Sequence, residues 1–123
     1  MIENLQTIPV LRIFDEAKAR DFYCGWLGCV VEFEHRFEPS APLYISVSLN
    51  GMKLHLSEHH GDGTPGTHVF IRCKNLRAWN AALLAKGYNY NRPGVEEAFW
   101  GGICMTVTDP FCNKLIFSEE DAK

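Results

Sequence analysis

The stretch Trp100–Ser118, WGGICMTVTDPFCNKLIFS, decides the architecture. Gly102 to Thr108 alternates apolar and polar residues, Asp109-Pro110 opens a turn, and Asn113 to Ser118 resumes the extended pattern. That is the grammar of a closing antiparallel pair, because a side-chain period of two suits a half-buried strand and Asp-Pro favours reversal. Upstream, Thr67 to Cys73 reads as a strand, and Asn75 reads as the cap of a helix over Leu76 to Lys86. Trp79, Ala82 and Leu83 mark its apolar stripe, and Gly87 supplies its stop. Tyr88 to Tyr90 reads as a short strand and Asn91 to Ala98 as a loop. The order is β-α-β-β-β.

The first half repeats it. Ile8 to Phe14 reads as a strand whose Pro9 has no amide to donate, so the strand lies at a sheet edge or that position points outward. Asp15 caps a helix over Glu16 to Leu27, with Ala19, Phe22, Tyr23 and Trp26 on one stripe and Gly28 at its end. Cys29 to Phe37 follows as a strand. Leu43 to Leu49 and Met52 to Ser57 then flank Asn50-Gly51, a hairpin signal because both residues accept positive φ. The two caps, Asp15 and Asn75, stand 60 residues apart, and so do Ile45 and Met105. The expectation is an α+β fold in one domain, residues 1–123. Module one covers about 6–58, a polar linker about 59–66, and module two about 67–119. Each sheet with a helix on one face must pack, pair or line a cavity with the other. Those faces mix polar and aromatic groups: Ile8, Val10 and Arg12; Tyr44, Ser46 and Ser48; His68, Phe70 and Arg72; Lys114, Ile116 and Ser118. Two curved mixed sheets around a half-wet cleft account for that mixture.

Composition narrows the function. The 123 residues are 46 % hydrophobic and 22 % charged, a globular balance, with a formal net charge of -3. No basic footprint for a phosphate backbone exists, so nucleic acid is excluded as an expected partner. No apolar run nears the roughly 20 residues of a membrane span, and Glu3, Arg12, Asp15 and Glu16 argue against a leading signal segment. The five cysteines form no C-x-x-C pair and read as reduced, mostly buried thiols of a cytoplasmic protein.

The chain resembles the vicinal oxygen chelate superfamily, the glyoxalase and bleomycin-resistance fold, over nearly its whole length. Leu11-Arg12-Ile13, Asp15, Ala19, Phe22-Tyr23 and Leu27-Gly28 carry the opening of that pattern. Trp100-Gly101, then Asp109-Pro110 and Asn113, carry its close and resemble the final hairpin of the bleomycin-binding members. The family usually has glycine where this chain has Cys112. The resemblance implies two modules around a cleft and, in the bleomycin-resistance branch, a groove at a homodimer interface partly built by the pre-hairpin loop.

Carried over position by position, the metal ligands of the enzymes fall at Ile8, Ser46, His68 and Ile116. Only His68 is a ligand type, and one imidazole does not hold a transition metal. The expectation is therefore no metal, no cofactor and no catalytic residue. The first reading is a non-catalytic binding protein that sequesters a small, bleomycin-like antibiotic and confers resistance. The alternatives are a metal-dependent lyase or dioxygenase of the same superfamily, and a structural or regulatory dimer with a vestigial groove.

Candidate ligand-binding residues are Trp100, Phe99 and Phe37 as aromatic walls, with His68, Arg72 and Ser46 as polar contacts. Each has a plainer role open to it: Trp100 as a plug between subunits, His68 as a half-buried strand histidine. Trp26 and Trp79 read as packing residues, and His55, Glu58, His59 and His60 as solvated loop groups without metal-site spacing. Glu32, Glu34, Glu38, Glu96 and Glu97 could rim a groove for a cation, whereas inward-facing Arg12, Arg72 and Lys114 oppose one. Gly101-Gly102 lacks any phosphate-loop context, and Cys104 and Cys112 lack a paired histidine.

Overall fold

The computed structural model describes residues 1–121. The chain divides into two compact units, Met1–Pro65 and Gly66–Lys123. Each holds one four-stranded mixed sheet with a helix on one face, which is the α+β arrangement read from the repeat.

In the first unit, β1 (Val10–Arg12), β2 (Val30–His35), β3 (Tyr44–Leu49) and β4 (Met52–Ser57) pair in the order β1-β4-β3-β2. β1 runs parallel to β4 at the sheet edge, where Pro9 accepts from His55 N at 2.9 Å and has no donation to make. The hairpin between β3 and β4 turns on Asn50 and Gly51 at φ 45 and 95, both left-handed as that turn demands. Leu11, Ile45, Val47, Leu54 and Leu56 share one face and are each about 1 % exposed or less. Glu34 lies on that face opposite Ile45 and binds Arg20 of the helix at 3.0 Å, which fixes the side the helix covers. Burying each such aliphatic chain contributes about 1.5–3 kcal/mol.

The helix is not one regular α-helix over Glu16 to Leu27. Asp15 caps it as expected, its carboxylate accepting from Lys18 N at 2.9 Å, and α1 runs Glu16–Arg20. Asp21–Trp26 is then a π-helical segment, and Leu27 N donates back to Phe22 O at 2.9 Å. The wider turn rotates the aromatic stripe so that Phe22, Tyr23, Trp26 and Leu27 are all buried. Gly28, at φ 93, lets Cys29 N close on Tyr23 O.

In the second unit, β5 (His68–Arg72), β6 (Glu96–Glu97), β7 (Ile103–Thr108) and β8 (Lys114–Glu119) pair in the order β5-β8-β7-β6. α2 (Leu76–Ala85) covers the face of Met105 and Phe117: Trp79 meets Phe117 edge-on at 4.8 Å, and Asn80 Nδ2 lies 3.4 Å from Met105 Sδ. Two expectations are corrected here. Tyr88 to Tyr90 is a turn rather than a strand, its rings packed edge-to-face at 5.5 Å. The loop Asn91 to Ala98 contains the missing strand instead, Glu96–Glu97, which pairs with Cys104 and Ile103.

A third correction concerns Asn75. It adopts φ 61 and makes no side-chain cap. The carboxylate of Glu119, arriving from β8, accepts from Asn75 N at 3.1 Å and Leu76 N at 3.0 Å, satisfying the free amides from across the unit.

Candidate functional site

The face of each sheet opposite its helix carries the candidate residues, and strand register sets their order. In the second unit three rows cross the sheet: His68, Lys114 and Thr108; Phe70, Ile116 and Thr106; Arg72, Ser118, Cys104 and Glu96. His68, Phe70, Arg72 and Lys114 are exposed.

Trp100 reaches these rows from the loop before β7. Its indole Nε1 donates to Ser118 Oγ at 3.4 Å, and its ring meets Phe70 at 5.8 Å and Phe99 at 4.7 Å. Gly101 and Gly102, at φ 94 and 96, make the turn that presents it. A Cβ at Gly102 would lie 2.2 Å from Glu119 O, so only glycine fits between this loop and β8. Trp100 remains 44 % exposed and Phe99 96 %. An indole held by its nitrogen edge and still partly exposed offers aromatic surface for stacking.

The final hairpin is anchored at its opposite end by the Asp109-Pro110 turn. Buried Asp109 Oδ1 accepts from Phe111 N and Asn113 N, both at 2.8 Å, and Oδ2 from Asn113 Nδ2 at 2.9 Å. Asn113 Oδ1 in turn accepts from Thr67 N at 3.3 Å, at the foot of β5. This explains why the turn needs Asp first and Asn four residues later.

In the first unit the corresponding rows are Val10, His55, Ser46 and Phe33, then Arg12, Ser57, Tyr44 and His35. A β-bulge between Val31 and Phe33 sets the register that brings Phe33 and His35 into them. Tyr44 Oη and His55 Nδ1 are 2.7 Å apart, and Phe33 packs edge-on to that imidazole at 5.6 Å. Burial, with the Asp62 carboxylate adding to it, raises the Tyr44 phenol above its ordinary value, so it stays protonated at neutral pH. Phe37, 79 % exposed, stands edge-on between His35 at 4.7 Å and His59 at 5.9 Å.

The sequence-derived candidates therefore separate into two groups. Trp100, Phe99, His68 and Arg72 belong to the second unit, where Trp100 and Phe99 touch and His68 and Arg72 flank Phe70. Phe37 and Ser46 belong to the first, and Ser46 is 2 % exposed beside His55. His55 is not a solvated loop histidine: it is half-buried within β4 and held by Tyr44. Phe33 and Tyr44 were not singled out as site residues; the alternation of β3 places Tyr44 there, but the bulge hides Phe33 from a strict two-residue count.

The charges are largely matched. Arg12 donates to His59 O at 2.8 Å and lies over the Phe14 ring at 4.6 Å; Arg72 meets Glu120 at 3.0 Å. Glu34 is taken by Arg20 and Glu32 by Lys53, so neither is a free rim carboxylate. Among the described residues no group of three or more His, Cys, Asp or Glu is placed to hold a metal ion. The positions at which the family resemblance would put ligands hold Ile8, Ser46, His68 and Ile116, a donor set that does not fit a transition metal. No helix among the described residues is long and apolar enough to cross a membrane.

Comparison with known proteins sets this geometry in a family. No curated protein matches the chain significantly. Among solved structures, a bleomycin-binding protein complexed with bleomycin superposes with a TM-score of 0.71 at 18 % identity, covering 96 % of this chain and 100 % of the other. The bleomycin resistance determinant encoded on transposon Tn5 gives 0.73 at 18 % identity, over 97 % and 100 %. The antibiotic-binding protein TnmS3 from a Streptomyces species gives 0.68 at 16 % identity, over 98 % and 100 %. The family model described as glyoxalase superfamily protein matches residues 1–123 from end to end, and the chain belongs to that family.

Proposed function

We propose that this chain is a non-catalytic small-molecule binding protein that acts by sequestering an antibiotic of the bleomycin type, in the cytoplasm and as a homodimer. The observation that carries the reading is Trp100: pinned to Ser118 by its nitrogen, flanked by Phe70 and Phe99, and still 44 % exposed. A preorganised aromatic surface of that kind gains contact area with a flat ligand at little cost in side-chain freedom. Phe99 extends it, while Arg72 and His68 supply further contacts from the same unit in this proposal; Phe37 and the buried Ser46 belong to the other unit. Two of the fold's relatives bind bleomycin or confer resistance to it, and a third binds an antibiotic. The residue types at the ligand positions the resemblance implies, Ile8, Ser46, His68 and Ile116, support binding rather than metal-assisted turnover.

The test is calorimetric titration of metal-free and copper-loaded bleomycin against wild type and Trp100→Ala, with elemental analysis of the same preparation. Saturable binding is expected, with no stoichiometric zinc, nickel, manganese or iron. Removing the indole should weaken binding by about 1–3 kcal/mol, as for an aromatic anchor. No binding at high micromolar drug rejects bleomycin; unaltered binding by Trp100→Ala rejects the site; a near-equimolar transition metal revives the enzyme.

A further inference from the structure

The open face of the second sheet is electrically lopsided, and the imbalance bears on which ligands suit it. Its aromatic centre is Phe70 with Trp100 against it. One repeat along the strands, about 7 Å away at ~3.3 Å per residue, lies the row of His68 and Lys114, neighbours on adjacent strands and both exposed. Lys114 forms no ion pair among the described residues.

The acids are placed differently. Glu120 is already bound to Arg72 at 3.0 Å. Glu96 sits on β6, three strands from Phe70, about 14 Å at ~4.8 Å per strand. A ligand centred on Phe70 and Trp100 thus has an unmatched ammonium and an imidazole at one end and carboxylates at the other, where Asp121 Oδ2 lies 3.4 Å from the place a Cβ on Gly101 would take and Glu96 lies farther off. A cation at the first end would meet Lys114 without compensation, while an anion would pair with it beside a water-excluding aromatic surface.

We infer that the ligand class of this face is a planar aromatic anion, an aryl carboxylate or its phosphate or sulfate equivalent, with rings on Trp100 and Phe70 and the anionic group at Lys114 and His68. The inference rests on the proposed small-molecule site and not on bleomycin as its occupant: the aryl anion is the alternative ligand of that face, and the two titrations tell them apart. The contact is reversible: no bond forms or breaks. Arg72 stays with Glu120, and Asp121 adds a carboxylate at that far end, so the anionic group of the ligand is directed to the Lys114 row.

Three probes of one shape separate the charge from the rings: 2-naphthoate, neutral 2-naphthamide and cationic 2-naphthylmethylammonium, titrated calorimetrically into the full chain at low salt. Naphthoate should bind about 3- to 30-fold more tightly than naphthamide, the range for one partly desolvated charge pair, and the cation more weakly than either. Lys114→Gln should remove the advantage of naphthoate and leave naphthamide unchanged; Lys114→Arg should retain it. Trp100→Ala should weaken all three. Equal affinity for naphthoate and naphthamide, or an advantage that survives Lys114→Gln, overturns the anion assignment while a Trp100-dependent naphthamide signal upholds the site. No binding of any probe at millimolar concentration overturns the assignment, and the bleomycin titration then decides the site separately.

Discussion

Cys112 stands at φ 72 in the turn between β7 and β8, left-handed backbone that a side chain occupies only at a cost. The turn persists because Asp109 and Asn113 hold it with buried hydrogen bonds, and Cys112 N donates to Asp109 O at 3.2 Å. Cys112→Gly should therefore raise the unfolding free energy by about 0.5–1 kcal/mol, the relief of strain exceeding the added freedom of the unfolded chain. Urea denaturation of the two proteins checks it; an equal or lower midpoint in the variant refutes it. Cys29 is the contrasting thiol. Burial, with a smaller contribution from Cys24, raises its pKa from 9.0 to about 12, so the fold favours the protonated form. That stabilisation is complete below about pH 9 and disappears as pH rises toward 12. Stability measured from pH 8 to 11 should fall, and Cys29→Ala should flatten the decline. The residual slope has the sign of Tyr44, whose phenol is also raised. A variant with the wild-type slope would remove Cys29 from the account.

At the scale of elements, Glu119 shows what local sequence conceals. Asn before an apolar run is an N-cap pattern, yet Asn75 takes φ 61 and the cap comes from a carboxylate 44 residues later. Glu119→Ala should cost about 1–2 kcal/mol, whereas Asn75→Gly should be neutral or slightly stabilising; thermal melts of both variants test the pair. A larger loss from Asn75→Gly than from Glu119→Ala would restore Asn75 as the cap. Where information is local, the sequence is enough: β4 spans Met52–Ser57 as the alternation and Asn50-Gly51 require, and Asp15 caps its helix. Where a distant element decides, it is not. The π-helical turn at Asp21–Trp26 keeps an apolar stripe that also fits a regular helix, and Glu96–Glu97 becomes a strand only because Cys104 and Ile103 lie beside it. The site divides in the same way. Trp100 was legible as an aromatic in a glycine turn, but its pin to Ser118 and the seating of Phe33 behind a bulge depend on packing.

For the whole molecule, the proposal of a homodimer rests on apolar surface exposed in the single chain. β2 lies at the edge of its sheet with all six residues exposed, among them Val30 at 62 % and Phe33 at 49 %, and Phe99 is 96 % exposed. Such edges and patches invite a second chain unless charge deters it. Here Glu32 and Glu34 are already neutralised by Lys53 and Arg20, so the deterrent is weak. An interface of more than roughly 1,000 Å² in total would hold a stable pair. Sedimentation equilibrium at micromolar concentration should then return about twice the 14.0 kDa chain mass. Phe99→Glu should shift the equilibrium toward monomer by placing a charge where an apolar ring is covered. Assembly and binding are linked: if the platform of Trp100 is completed by a second copy, dilution below the dimer dissociation constant must weaken ligand affinity as well. Titrations at two protein concentrations on either side of that constant separate the cases. Affinity that is indifferent to dissociation makes the second sheet of one chain the whole site, and a chain that stays monomeric throughout removes the dimer from the proposal.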